Sequence, residues 1–169
     1  RTMRMEPKSM YSTNMIFVSG TICSGKSYLG KELADSFDYD FIEISRIVGG
    51  ILSSNMRNDL QGHPELDVQI IDAIKDIRRS TRKDGLVVSG TRQVEILHAF
   101  PNAETIWMNT PLSVCLTRFM ERDADKDGEA TLEQFDHYMT QDEELGIESV
   151  KKYITLNNYK KERRNDEKN

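Results

Sequence analysis

The segment Gly20–Ser27 constrains the fold more than any other part of the chain, because it matches the pattern G-x-x-x-x-G-K-S/T in full. An apolar run, 15–19, precedes it and a segment with helical spacing follows, which is the strand–loop–helix setting of this motif. Gly20 and Gly25 allow backbone conformations that a Cβ would forbid. The loop N–H groups can then point inward and, with the N-terminus of the next helix, bind anionic oxygens. The segment is therefore predicted to bind phosphates.

The polar residues of this loop have defined tasks if the ligand is a nucleoside triphosphate. The Lys26 ammonium reaches the β- and γ-phosphates, and the Ser27 hydroxyl is a magnesium ligand. Further contacts with ATP are expected from Gly20, Thr21, Ser24, Gly25 and Tyr28. A chance glycine-rich turn is the alternative, but the flanking strand and helix argue against it. We therefore predict ATP and Mg²⁺ as the cofactors.

Strands alternate with helices along the rest of the chain. The predicted strands are the runs Met15–Ser19, Tyr39–Ile44, Leu86–Ser89 and Thr105–Met108. Such alternation predicts an α/β domain with a mostly parallel sheet and helices on both faces. Val150–Leu156 fits either a short helix or the last strand. We place the domain at 15–158, with a flexible or cloning-derived tail at 1–14 and a charged tail at 159–169.

Composition excludes some classes of protein. No apolar run approaches the ~20 residues that a membrane-spanning helix needs. The two cysteines, Cys23 and Cys115, lie far apart, which is typical of a reduced cytoplasmic protein, here the host cytoplasm if the chain is viral. The net charge of -5 does not favour nucleic acid, although a local basic patch would suffice for binding.

The phosphate loop alone does not separate kinases from GTPases or motor ATPases. The chain has no Asn-Lys-x-Asp motif for reading guanine. The third predicted strand ends in Ser89 and Gly90 and lacks the terminal Asp of ordinary ATPase domains. Together with the short length, these features favour a small-molecule or nucleotide kinase.

The chain resembles the small nucleotide kinases of the nucleoside monophosphate kinase and dephospho-coenzyme A kinase group. The blocks that carry the resemblance are Ile16–Ser27, Phe41–Ser45, Val87–Arg92 with Val94 and Glu95, and Leu132–Phe135 with Gln141–Ile147 and Asn157. The resemblance implies a P-loop three-layer sandwich with a parallel five-stranded sheet, helices on both faces and a lid. It also implies a kinase that transfers the γ-phosphate of ATP to a nucleotide-type acceptor.

The resemblance also implies roles for individual residues. Arg92 would lie at the phosphates or the acceptor, and Arg118 and Arg122 would face the triphosphate from the lid, where a guanidinium spans two phosphate oxygens. A solvated helix face is the alternative for the latter two. Relatives often carry an Asp where this chain has Ser89. Glu43 is therefore the leading acid on the acceptor side, with a strand-end carboxylate facing water as its alternative.

Other departures concern the acceptor. Relatives usually have an acid where Arg46 stands and often an Arg near Gly49, and losing that Arg weakens the case for a phosphate-bearing acceptor. The bacteriophage kinases that phosphorylate 5-hydroxymethyluracil within DNA fit this pattern better. Arg57–Glu65 would then hold a base that is single-stranded or flipped out. Free nucleoside monophosphates, dephospho-coenzyme A and a non-catalytic ATP-sensing module stay as alternatives.

The segment Asp123–Gln134 resembles a calcium loop between two helices. Its twelfth position should be a bidentate Glu but is Gln134, and its eighth position is Ala130 where a β-branched or Leu residue is usual. We therefore do not expect calcium binding, and we predict that this segment belongs to the lid.

Overall fold

The computed structural model describes residues 13–51, 65–124 and 131–168. Within these ranges the chain forms one parallel sheet. Its strands are Met15–Ser19 (β1), Asp40–Glu43 (β2), Leu86–Ser89 (β3) and Glu104–Trp107 (β4). The strands lie in the order β2-β3-β1-β4, and every neighbouring pair is parallel. The predicted α/β class with a parallel sheet is confirmed.

Helices connect and flank these strands. They are Lys26–Phe37 (α1), Ile44–Ile51 (α2), Glu65–Ser80 (α3), Val94–His98 (α4), Leu112–Ala124 (α5), Leu132–Leu145 (α6) and Ile147–Lys168 (α7). Residues 159–168, predicted as a charged tail, form the last turns of α7. None of the helices in the described ranges combines the length and the apolar character that crossing a membrane requires.

The prediction of five strands was wrong, because the described residues form a sheet of four. Val150–Leu156 lies inside α7. Val150 and Ile154, four positions apart, are 0% and 1% exposed, whereas the two residues after Val150 face solvent. This spacing suits a helix and not the two-residue period of a strand. On the same helix, the Asn158 amide donates to the backbone carbonyl of Thr105 on the edge strand β4 at 3.1 Å.

The sheet has an apolar core on each face, as its period of two requires. Met15, Phe17 and Val88 point to the larger core, which contains side chains from α2, α3, α4 and α7. Ile16 and Val87 point to the opposite core, where α1 packs. This packing fixes the carboxyl ends of β1, β2 and β3 next to one another, at the edge from which the Gly20–Ser27 loop leaves the sheet.

Candidate active site

The loop from Gly20 to Ser27 joins β1 to α1 in a tight turn. Gly25 immediately precedes α1 with φ 95° and ψ 13°, a left-handed conformation that disfavours other residues. A Cβ on Gly20 would overlap the Ser24 Oγ and approach the Met108 Cβ to 2.9 Å. Gly25 therefore has the conformational reason that the sequence predicted, whereas Gly20 is not among the glycines with positive φ and its reason is close packing.

Gly20→Ala is expected to destabilise the protein by about 1–3 kcal/mol, the usual cost of an overpacked site. The added methyl group would have to displace Ser24 or Met108. Gly50→Ala is the control, because a Cβ there meets nothing within 4 Å inside helix α2, and it should stabilise by about 0.5–1 kcal/mol. Urea unfolding midpoints of both variants measure the difference. Equal midpoints would contradict the steric account.

Lys26 lies at the first position of α1 with its side chain turned back onto the loop. Its Nζ donates to the carbonyl oxygen of Thr21 at 3.2 Å. Burial lowers the pKa of this ammonium, and the nearby Asp142 carboxylate partly opposes that shift. A cation withdrawn from water in this way gains from an anionic partner. The phosphates that the sequence predicts here would provide one.

Buried hydroxyl groups surround the loop. The side chains of Ser19, Ser24, Ser89 and Thr91 bury their oxygens without a hydrogen-bond partner among the described residues. An unsatisfied buried hydroxyl costs about 1–3 kcal/mol, so several together indicate a place for polar ligand atoms. Of the four, Ser89 lines the cleft, and together with the glycine-lined loop and Lys26 it fits the oxygens of a nucleoside triphosphate.

The described residues offer few side chains that could ligate Mg²⁺. The described residues contain no group of three or more His, Cys, Asp or Glu side chains that could hold a metal ion. Mg²⁺ is often held by one or two protein ligands together with substrate phosphates, so a metal cage is not required. Ser27 lines the cleft beside Lys26, and its hydroxyl is the group that would hold the ion.

A cleft of about 710 Å³ opens at the carboxyl ends of β1, β2 and β3. It is lined by Gly20, Ile22, Lys26, Ser27, Glu43, Ser45, Ser89, Gly90, Arg92, Arg122, Gln134, Tyr138 and Asp142. Ligands of open α/β sheets bind at this edge. The structure thus brings together in one cleft the predicted residues Gly20, Lys26, Ser27, Glu43, Arg92 and Arg122.

The remaining predicted residues lie around this cleft. Arg118 on α5 reaches the phosphate loop, and its Nη1 donates to the carbonyl oxygen of Cys23 at 3.4 Å. The Thr21 Oγ1 and the Cys115 Sγ lie 3.6 Å apart and share a hydrogen bond. Tyr28 is 72% exposed on the outer side of α1 and is not among the cleft-lining residues. Its contact with ATP stays a prediction.

Glu43 ends β2 and pairs in register with Ser89 of β3. Its half-buried side chain lines the cleft. This position agrees both with an acid facing an acceptor and with a strand-end carboxylate facing water. Residues 57–64 of the predicted acceptor segment lie outside the described residues.

Asp142 on α6 is a charged cleft residue that the sequence analysis did not single out. Its Oδ1 accepts from Arg92 Nη1 at 3.2 Å, and its side chain is only 8% exposed. Burial raises the pKa of this carboxyl, while Arg92 and Lys26 oppose the rise. A signal was present, because Asp142 follows the buried Phe135 by seven positions and so shares the apolar face of α6.

The predicted lid joins α5 to α6. Arg122 comes from α5 and lies over the Phe119 ring at 5.9 Å. Residues 125–130 of the calcium-like loop lie outside the described residues. Its last position, Gln134, takes part in a capping box at the start of α6, where its side chain accepts from the Thr131 N–H at 3.2 Å.

Several solved structures have a fold similar to that of this chain. Shikimate kinase from Aquifex aeolicus is 20% identical, with a TM-score of 0.50, and the match covers 85% of this chain and 95% of that one. A gluconokinase from Sinorhizobium meliloti is 17% identical, with a TM-score of 0.52 and coverage of 77% and 75%. Shikimate kinase from Bacteroides thetaiotaomicron is 16% identical, with a TM-score of 0.52 and coverage of 75% and 76%. The fold is therefore that of P-loop kinases.

Sequence comparison identifies the family. A search of curated proteins finds no match. A family model described as an AAA domain matches residues 16–143, which include the phosphate loop and every described residue that lines the cleft. Since this match covers more than half of the sequence, the chain belongs to the AAA domain family.

Proposed function

We propose that the protein is a magnesium-dependent kinase that transfers the γ-phosphoryl group of ATP to a hydroxyl of a nucleotide-type acceptor. The observation that carries this proposal is the composition of one cleft. Lys26 and Ser27 lie in it together with Glu43, which ends β2, and Arg92, which follows the neighbouring strand β3. A protein that only binds ATP needs the first pair, whereas group transfer also needs groups that face an acceptor.

The donor side binds and neutralises charge. The loop N–H groups and Lys26 hold the phosphates, and Arg118 and Arg122 approach from α5. Phosphoryl transfer depends mainly on positioning and on cations around the transferred group. Magnesium, when held by Ser27, supplies further neutralisation of the phosphate oxygens.

The acceptor side orients the attacking group. The hydroxyl oxygen of the acceptor forms a bond to the γ-phosphorus while the bond from that phosphorus to the bridging oxygen of ADP breaks. The hydroxyl proton passes to the Glu43 carboxylate, and ADP leaves with the bridging oxygen. Arg92 is the cation on this side, at the start of the segment that follows β3.

The leading specific acceptor is 5-hydroxymethyluracil within bacteriophage DNA, which would make the reaction a DNA modification. Its reacting group is a neutral hydroxyl on a base, and the base would enter the cleft from single-stranded or base-flipped DNA. Free deoxynucleoside monophosphates and dephospho-coenzyme A are the alternative acceptors. The similar structures are named as kinases of shikimate and gluconate, so both compounds belong in the test as well.

A non-catalytic ATP sensor is the second candidate. It is favoured by Ser89, which ends β3 with a hydroxyl where relatives often have an Asp. Incubation with γ-labelled ATP, Mg²⁺ and each acceptor in turn separates the two functions. We expect label on DNA that contains hydroxymethyluracil and none on ordinary DNA. ATP binding by calorimetry without label on any acceptor would contradict the kinase proposal and leave the sensor.

A further inference from the structure

Arg92 and Asp142 form an ion pair inside the cleft. The two side chains meet at 3.2 Å, and the carboxylate is the more buried partner, with 8% exposure against 36% for the guanidinium. Asp142 also acts electrostatically on Lys26, so it lies near both cations. A buried carboxylate in this place is unexpected in a cleft that binds phosphates, because like charges repel most strongly where water is scarce.

The charges that line the cleft are already nearly balanced. In the part of the chain that the structure describes, the lining cations are Lys26, Arg92 and Arg122, and the lining carboxylates are Glu43 and Asp142. In the proposed function Lys26 and Arg122 bind the phosphates of ATP. Among the described residues that line the cleft, the cation that remains for the acceptor is Arg92, and its guanidinium already has a carboxylate partner.

We propose that the Asp142 carboxylate is the built-in anion for Arg92, and that the acceptor therefore presents an uncharged hydroxyl and no phosphate to this part of the cleft. A phosphate beside Arg92 would have to approach a buried carboxylate or displace it, and close like charges at a binding site oppose binding. This inference rests on the proposed function and narrows its substrate class.

The same groups favour a particular kind of acceptor. Carboxylates only accept hydrogen bonds when ionised, so Glu43 and Asp142 select ligands with donor groups. A hydroxymethyl group on a pyrimidine or a hydroxylated small molecule supplies such donors. A nucleoside monophosphate with its phosphate towards Arg92 would offer no donor to these carboxylates. Its negative charge would also be repelled by Asp142.

The test measures binding and needs no turnover. The phosphate loop is first saturated with Mg²⁺ and the β,γ-imido analogue of ATP, so that added anions cannot bind there. Calorimetry then compares 5-hydroxymethyldeoxyuridine with its 5′-monophosphate, and it measures sulfate as a small anion. For the unmodified protein we expect the monophosphate to bind no more than about threefold tighter than the nucleoside, a difference of under 1 kcal/mol.

Asp142→Asn should free Arg92 and raise the affinity for sulfate and for the monophosphate by about tenfold or more. Glu143→Gln is the matched control, because it removes an equal charge from an exposed neighbouring position on α6 and should change neither affinity. Adding Arg92→Ala to Asp142→Asn should abolish the gain. Asp142→Ser provides a second variant with the same expected result if the Asn protein folds poorly.

Two results would overturn the inference. One is an unmodified protein that binds the monophosphate at least tenfold tighter than the nucleoside. The other is an unchanged sulfate affinity in folded Asp142 variants. Failure of the imido analogue to bind would count instead against the proposed function. The difference in sulfate affinity between Asp142→Asn and its Arg92→Ala double variant would then still decide the inference about Asp142.

Discussion

The Lys26→Met variant is expected to lose ATP binding and yet to be more stable than the unmodified protein when no nucleotide is present. Burial lowers the pKa of Lys26, so the folded protein carries an ammonium that water would solvate better. Methionine fills a similar volume without that charge. In the kinase assay, removing one donor that stabilises transition-state charge typically costs about 10²–10³-fold in turnover, and we expect at least that loss.

Thermal unfolding with and without ligand tests both parts. A ligand at about 100 times its Kd stabilises by about 2.7 kcal/mol, which raises the Tm of a chain of this size by roughly 5–11 °C. The unmodified protein should show this rise with Mg²⁺ and the imido analogue, and the variant should not. Gly50→Ala, outside the cleft, should retain the full rise. A variant that keeps the rise would remove Lys26 from the phosphate site.

The stability difference has a defined pH dependence. Below the lowered pKa of Lys26 the ammonium is present in both the folded and the unfolded chain, so the unmodified protein bears the full cost of burying it. As pH rises from that pKa towards the ordinary value of 10.5, the folded protein loses the proton first and the cost disappears. The advantage of Lys26→Met in free energy of unfolding should therefore be largest near neutral pH and shrink in alkaline buffer.

Sequence patterns predicted the elements of this fold because most of them depend on local spacing. Met15–Ser19 and Leu86–Ser89 are short apolar runs, and both are strands with the predicted bounds. Val150–Leu156 could not be assigned in the same way. Its apolar residues fit either period over so few positions, and the helical period becomes visible only in the folded protein, where Val150 and Ile154, four positions apart, are both buried in the core.

The site was predictable where chemistry and chain position coincide. Lys26 and Ser27 follow from one contiguous motif, whose steric demands are local. Asp142 could not be placed with them, because it lies more than a hundred residues away and reaches the cleft only when α6 packs beside the loop. From the sequence alone, a carboxylate on a helix is usually a solvated charge. Its pairing with Arg92 is a tertiary property.

Glu43→Gln is expected to lower turnover by about 10²–10⁴-fold while ATP affinity stays nearly intact. The proposed role of Glu43 is to take the proton of the acceptor hydroxyl, and a positioned general base contributes about this much. Glutamine keeps the shape of the side chain and can still accept a hydrogen bond, but it cannot take the proton. Glu43 lines the cleft at the end of β2, whereas Lys26, the residue proposed to hold the donor, lies at the start of α1. The donor site should therefore be little affected.

Single-turnover rates with saturating ATP, combined with the Kd of the imido analogue, separate chemistry from binding. Glu133→Gln on the exposed side of α6 is the matched control and should leave both quantities unchanged. Ser45→Ala removes a neutral group from the same cleft and shows how sensitive the rate is to small changes there. If Glu43→Gln turns over at the unmodified rate, Glu43 is a carboxylate that faces water at the end of its strand. If the variant loses ATP affinity and rate together, the side chain acts on the donor and not on the acceptor.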